Sequence, residues 1–494
     1  MRALKTTAAA IALALALAPT ASGALVSQGG VRMGADAFWS LGILGEGQTV
    51  VILDEGFAAL DRSIALGELP PREAMTIRAF DPVGGLDGIT EFGQPTQHGV
   101  RMAEIVHDIA PRAHLALIAY RTPEQFEQAA DWIAAAGLPV VSHSNSFLTP
   151  PFDGTGRSAR AVDRTAAAGV LWVNSAGNYG QRHWRGTPPA TGAVIPIAPA
   201  PGSPLLFSLS WMSPAVVASI AVERLDASGI WIEVQRSSTA IATAAFGPMN
   251  ATTVPLTVDA SSWRLVVRQE SGLPAELTLF SQTVGFGAMA VADGSVPTPG
   301  DAAGALTVGA VKWTGTALEP YSSQGAAGGA KPDLVAPTYV TSNPEWPGTA
   351  GTSAATAHVA GAAALLRQSR LRAGLSALAP DLRALLVGTA LDLGEPGRDP
   401  LYGAGMARLD ATPPTLTVRI GRGARRLLRV RADDAGTIRD VRISLNGRPL
   451  RIVRRPVVGV RLPVSAGAVS TLTIRVEDMA GNVATRVRAL RGSR

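Results

Sequence analysis

Gly351-Thr352-Ser353 stands directly before an alanine-rich run, Ala354-Ala355-Thr356-Ala357-His358-Val359-Ala360-Gly361. A glycine turn that opens a helix holds a serine hydroxyl at its mouth. The serine's own N–H then lies at the positive end of the helix, where an oxyanion formed in acyl transfer is stabilised. Ser353 is therefore a candidate nucleophile. The same residue pattern also makes an ordinary helix cap, so the chemistry requires partners: a base to take the proton and a buried carboxylate to orient that base.

Such partners lie upstream in the order acid, histidine, serine. Asp54 ends the apolar run Val50-Val51-Ile52-Leu53, which reads as a strand buried on both faces. This places Asp54 at a strand's carboxyl end, where open parallel sheets carry their sites. His98 precedes Met102, Ile105, Val106 and Ile109, a set at helical spacing that puts the histidine at a helix mouth. Val170-Leu171-Trp172-Val173-Asn174-Ser175 reads as a strand that breaks at Ala176-Gly177 and presents Asn178, whose amide can donate to an oxyanion. Alone, Asp54 is an N-cap or turn former, Asn178 a turn residue and His98 a structural histidine; it is their joint order that points to acyl transfer. His107, His114, His183 and His358 are read as structural.

These four segments resemble the motifs of the subtilisin-like serine peptidases, or subtilases: Asp54-Glu55-Gly56, His98-Gly99-Val100, Ala176-Gly177-Asn178 and Gly351-Thr352-Ser353-Ala354. The resemblance implies endopeptidase activity on a protein or peptide substrate. Ser353 would attack, His98 carry the proton, Asp54 orient His98, and Asn178 with the Ser353 N–H form the oxyanion hole. It further implies that Ser144, Asn145 and Ser146, after the strand beginning at Val140, form a substrate-binding edge together with Ala176 and Gly177. The chain departs from the family's pattern in several places. Val100 replaces a usual threonine, Ala354 and Ala357 a usual methionine and proline, and Ser146 and Phe147 usual glycines. Calcium sites are frequent in the family, but no loop here carries the spaced carboxylates of a dedicated site. No metal ligands are assigned and no cofactor is expected.

The surrounding pattern supplies the scaffold. Leu115–Tyr120, Val140–Ser144, Leu171–Ser175, Ala305–Val311 and Leu334–Ala336 read as buried strands; Pro123–Ala136, Ser158–Ala168, Ser353–Arg370 and Asp381–Gly388 read as helices. Such alternation predicts an α/β fold, a mostly parallel doubly wound sheet, and the resemblance makes it subtilisin-like, over residues 24–409. Between 201 and 282 the period changes to two, as in Trp263, Leu265 and Val267, which predicts a β-rich insertion. After Ala411-Thr412-Pro413-Pro414, turns at 433–436, 445–448 and 477–482 separate short strands. Residues 412–494 are expected to form a β-sandwich resembling immunoglobulin-like modules.

Composition fits an exported protein of several domains. At 494 residues with 47% hydrophobic content, a large core is available. Residues 1–23, with Arg2 and Lys5 ahead of an apolar run and small residues at Ala21-Ser22-Gly23, read as a signal peptide. Secretion to the medium or periplasm is expected, with no transmembrane segment after cleavage. About twenty residues then separate the cleavage site from the first catalytic strand, too few for the pro-segment common in the family. The chain has no cysteine, which excludes disulfides and thiol chemistry. From Asp410 onward there are 18 arginines, no lysine and 6 acidic residues, whereas the whole chain is only +6. The basic character therefore belongs to the tail. A positive tail suits anionic envelope polymers, although arginines alternating on strands also simply keep a small sheet soluble; no specific nucleic-acid partner is expected. The competing function is a catalytically silent protein that binds envelope polyanions on the same scaffold.

Overall fold

The computed structural model describes residues 26–491 apart from 90–93, 238–248, 255–258, 260, 413, 422–426, 435–437, 465–466 and 479–481. The leader read at 1–23, Pro413 and parts of the turns at 433–436 and 477–482 lie outside the described residues.

Seven strands form a wholly parallel central sheet: β1 (Thr49–Asp54), β2 (Thr76–Ala79), β3 (His114–Ala119), β4 (Val140–His143), β5 (Leu171–Ser175), then, after the insertion, β14 (Ala305–Lys312) and β15 (Leu334–Thr338). Their order is β15-β14-β5-β4-β1-β3-β2. From β1 the chain goes to β2 at the sheet edge, comes back to β3 beside β1, and then crosses to β4 on the other side of β1. This reversal opens a crevice beyond the carboxyl ends of β1 and β4, and Asp54 is the last residue of β1. The short helices α1 (Gln28–Met33), α2 (Ala35–Ser40) and α3 (Leu60–Leu66) come before the longer ones. Sequence alternation sorts the two faces. Val50 and Ile52 pack with α4 (His98–Ile109) and α7 (Thr352–Arg372), whereas Val51 and Leu53 pack with α5 (Pro123–Ala135) and α6 (Arg157–Ala167).

Helix α7 has buried residues on all sides for most of its length. A helix that is apolar or small all round belongs inside a core, and here it lies between the sheet and α4. Its small residues permit that closeness: a Cβ on Gly361 would lie 2.7 Å from the Cβ of Ile109. At the far end, buried Arg370 pairs with Glu477 of the tail at 3.1 Å.

Between β5 and β14 the described residues of the insertion form eight antiparallel strands in two sheets. One is β10-β9-β12-β7 and the other β11-β8-β13-β6. Their ranges are β6 (His183–Gly186), β7 (Ala193–Ile197), β8 (Leu205–Ser210), β9 (Val217–Leu225), β10 (Trp231–Ser237), β11 (Met249–Val254), β12 (Trp263–Ser271) and β13 (Leu277–Ser281). The alternating Trp263, Leu265 and Val267 face inward with Phe207, Leu209 and Ile220, making a sandwich. The tail also forms two antiparallel sheets, one of Thr415–Ile420, Leu427–Asp433 and Val457–Arg461, the other of Ile438–Leu445, Arg448–Val453, Val469–Asp478 and Val483–Arg491. In Leu427–Asp433, Leu428, Val430 and Ala432 are buried while Arg429 and Arg431 point outward. Among the described residues no helix is long and apolar enough to cross a membrane.

Gly361→Val is expected to wedge α7 away from α4 and lower unfolding stability by about 1–3 kcal/mol, measurable as a reduced urea midpoint at unchanged slope.

Candidate functional site

The crevice at the β1/β4 reversal is a cleft of about 360 Å³. It collects Asp54, His98, Ser144, Asn145, Ser146, Gly177, Asn178 and Ser353, together with Thr96, Tyr179 and Gln282. Ala176 is not among its lining residues; that residue is fully buried, and its N–H donates to the Val308 carbonyl at 2.9 Å. The strand read from Val140 stops at His143, where pairing to both Leu53 and Asn174 ends. Residues 144–146 then leave the sheet and face the cleft.

Asp54 is wholly buried, and its two oxygens are both used. Oδ1 accepts from the Glu55 N–H at 2.9 Å, and Oδ2 accepts from Nδ1 of His98 at 2.7 Å. With Nδ1 committed as donor, Nε2 is the nitrogen left to exchange a proton with a neighbour. The imidazole, 35% exposed, feels two opposed effects. Burial favours the neutral ring, but the charge and hydrogen bond of Asp54 more than offset it, so the His98 pKa is raised above the ordinary value.

Ser353 sits in the first turn of α7, where the N–H has no acceptor four residues back. Gly351 before it adopts φ +106°, a conformation other residues rarely take. The turn is fixed by cross-links: the Gly177 N–H donates to Thr352 Oγ1 at 3.2 Å, that hydroxyl donates to Asn178 Oδ1 at 3.2 Å, and the Thr352 N–H donates to the same oxygen at 3.0 Å. Because Asn178 Oδ1 is held this way, its NH₂ is the end available to the cleft. Ser353 Oγ donates to the Ser144 carbonyl at 3.2 Å, not to His98; rotation about χ1 would be needed to turn it toward the imidazole. His358, farther along α7, points into the core. Its Nδ1 donates to the Ala354 carbonyl and its Nε2 accepts from Ser27 Oγ, both at 2.7 Å.

Several supporting residues had no motif to mark them. Glu104, buried in α4, accepts from Ser63 Oγ (2.6 Å), Asn343 Nδ2 (2.8 Å), Trp346 Nε1 (2.8 Å) and Ser342 Oγ (3.3 Å). It thereby ties the helix bearing His98 to the segment leading into Gly351. Burial raises its pKa, and the four donors counteract this only in part. Beneath the cleft, Tyr120 donates to His143 Nε2 at 2.8 Å and His143 Nδ1 donates to Asn174 Oδ1 at 2.7 Å. Burial pulls His143 down to about 4, so it remains neutral. A histidine closing the buried strand Val140-Val141-Ser142-His143 is the sequence signal for this network.

One group among the described residues has the composition of a metal site. Carboxylate oxygens of Asp410, Asp434 and Asp478 lie within 4.8 Å of one another at the start of the tail, and burial, with the two neighbours adding to it, pushes Asp478 up to about 6. They come from three separate segments, so no single loop displays them.

Removing the Asp54 charge leaves burial as the main influence on His98. In Asp54→Asn, the NMR titration midpoint of the His98 ring is expected to fall below that of the unmodified protein; an unchanged midpoint would contradict the coupling.

A model of the Subtilase family matches residues 240–405. That segment includes Ser353 but not Asp54, His98 or Asn178, which only the fold brings to it. No curated protein matches the chain. Among solved structures, the Clostridium perfringens CspB protease aligns with a TM-score of 0.54 at 17% identity, covering 77% of this chain and 95% of that one. A lanthipeptide protease and MycP1 with its N-terminal propeptide removed align with TM-scores of 0.42, each at 17% identity and 77% of this chain, covering 91% and 95% of theirs. The chain is thus subtilase-like, matching that family in the segment around Ser353 and sharing the fold of a subtilisin-like protease.

Proposed function

We propose that this protein is an exported serine endopeptidase that hydrolyses peptide bonds through an acyl-enzyme. The observation that carries the reading is the 2.7 Å hydrogen bond from His98 to buried Asp54 in the cleft that Ser353 also lines. On this reading Ser353 Oγ swings from the Ser144 carbonyl toward His98 Nε2, transfers its proton there and forms a bond to the scissile carbonyl carbon. Asp54 stabilises the resulting imidazolium. The carbonyl oxygen takes the negative charge and is met by the Asn178 NH₂ and the Ser353 N–H at the positive end of α7. His98 then returns the proton to the leaving amine. Water, deprotonated by the same imidazole, then adds to the acyl carbon; the bond to Ser353 Oγ breaks, His98 gives its proton back to Oγ, and the acid product leaves.

A second reading, a silent protein that holds envelope polyanions, is favoured by the outward arginines of the tail and by the Ser353 hydroxyl being turned to Ser144. The two readings separate in one experiment. A fluorophosphonate probe is expected to label the full-length protein and not Ser353→Ala, whereas equal labelling of both removes Ser353 from the mechanism. For the active protein, Asn178→Ala should lower kcat by about a hundred- to thousandfold with little change in KM. Absence of labelling, together with salt-sensitive polyanion binding, would establish the silent reading instead.

A further inference from the structure

Beside the catalytic cleft lies a second, smaller one of about 230 Å³, and the two share Ser146 and Gln282. One wall is the segment Phe147-Leu148-Thr149, which continues the proposed substrate edge. The other is Leu206-Phe207-Ser208 of β8, in the antiparallel insertion. The recess is walled by apolar residues: Phe147 and Phe207 pack their rings into the cores behind it, while Leu148 and Leu206 belong to neither core, so an apolar recess stands at the side of the reactive cleft. Its one hydroxyl from the insertion, Ser208 Oγ, already donates to the Leu148 carbonyl at 3.0 Å.

The walls are held rigidly. The Phe147 N–H donates to the Thr298 carbonyl at 2.8 Å, and the Gln282 N–H donates to the Leu206 carbonyl at 3.0 Å. The Gln282 carbonyl accepts from Arg182 at 2.9 Å. The backbone of Gln282 is therefore pinned on both sides, while its side-chain amide hydrogen-bonds to no described residue and stands at the neck joining the two clefts. A preformed apolar recess with one polar group at its mouth is the usual form of a specificity pocket.

We propose that this insertion-built recess is a specificity subsite: it receives an aliphatic or aromatic side chain of a peptide bound across Ser353, with Gln282 at its neck. The occupant follows from continuity, because any chain lying along 144–146 passes the opening that Ser146 and Gln282 frame. The inference rests on the peptidase reading for its substrate class, but it concerns binding and can be tested apart from hydrolysis.

The test uses full-length Ser353→Ala protein and a set of Gly/Ser host nonapeptides carrying a single Leu at each position in turn, with affinity measured by fluorescence anisotropy. One Leu position is expected to bind about tenfold more tightly than the all-Gly/Ser host, the order expected for burying one branched chain. Adding Leu206→Trp, which fills the recess, should reduce that gain below about threefold. Gln282→Glu, a change at a half-buried side chain, should leave the fold intact and favour a Lys-substituted peptide over its parent severalfold. The subsite is overturned if no peptide binds, if Leu gives no gain at any position, or if the gain and the ranking survive both changes. Should Leu206→Trp fail to fold, Gln282→Glu alone decides. Hydrolysis of the same peptides by the unmodified protein is scored separately. A Leu preference without any cleavage retains the subsite and removes the peptidase reading; cleavage without a Leu preference does the reverse.

Discussion

Helix α7 can lie between the central sheet and α4 only because its side chains are small, and the position of the serine follows from that packing. A helix buried on every side has no freedom to slide, since each shift would open a void or drive Gly361 against Ile109. The first turn is thereby set at the carboxyl edge of the sheet, beside the end of β1. The cross-links from Thr352 to Gly177 and Asn178 refine a location that the core has already imposed. Rigid elements with short polar staples at their ends are the arrangement a reactive site needs, because a small misplacement of one group is costly to a reaction.

Electrostatics in this region are arranged by burial as much as by charge. Asp54 is fully buried with two donors, Glu104 with four, and His143 is kept neutral between Tyr120 and Asn174. Each is a polar group in a low-dielectric surrounding whose partners come from different segments, so satisfying it requires those segments to be in register. Glu104 links α4 to the approach of the serine turn, and the Tyr120–His143–Asn174 chain reaches from the end of β3, past β1, to β4 and β5. These networks couple the elements that carry His98, Ser353 and Asn178 without themselves lining the cleft.

The antiparallel insertion occupies an unexpected place for a surface addition. It leaves the chain just after Asn178 and returns through Gln282, so its root borders the cleft and Gln282 becomes part of the lining. An insertion whose two ends are close costs the parent fold little, yet one rooted there inevitably shapes the approach to the serine. The tail is joined differently, through the buried Arg370–Glu477 pair at the far end of α7, on the side of that helix remote from Ser353.

The sequence alone determined the local features: the strand ending at Asp54, the helices opening at His98 and near Ser353, the alternating parallel core and the change to period two. Each of these is written in apolar spacing and turn residues, which act over short distances. Asp54, His98, Asn178 and Ser353 were legible as candidates because each sits at an element's end. Tertiary structure decided what depends on distant segments meeting. It placed Ala176 behind the cleft and Gln282 within it, turned the Ser353 hydroxyl to Ser144, gathered Asp410, Asp434 and Asp478 from three segments, and surrounded Glu104 with donors. No spacing along the chain encodes such contacts; they arise when long-range packing brings together residues separated by tens to hundreds of positions.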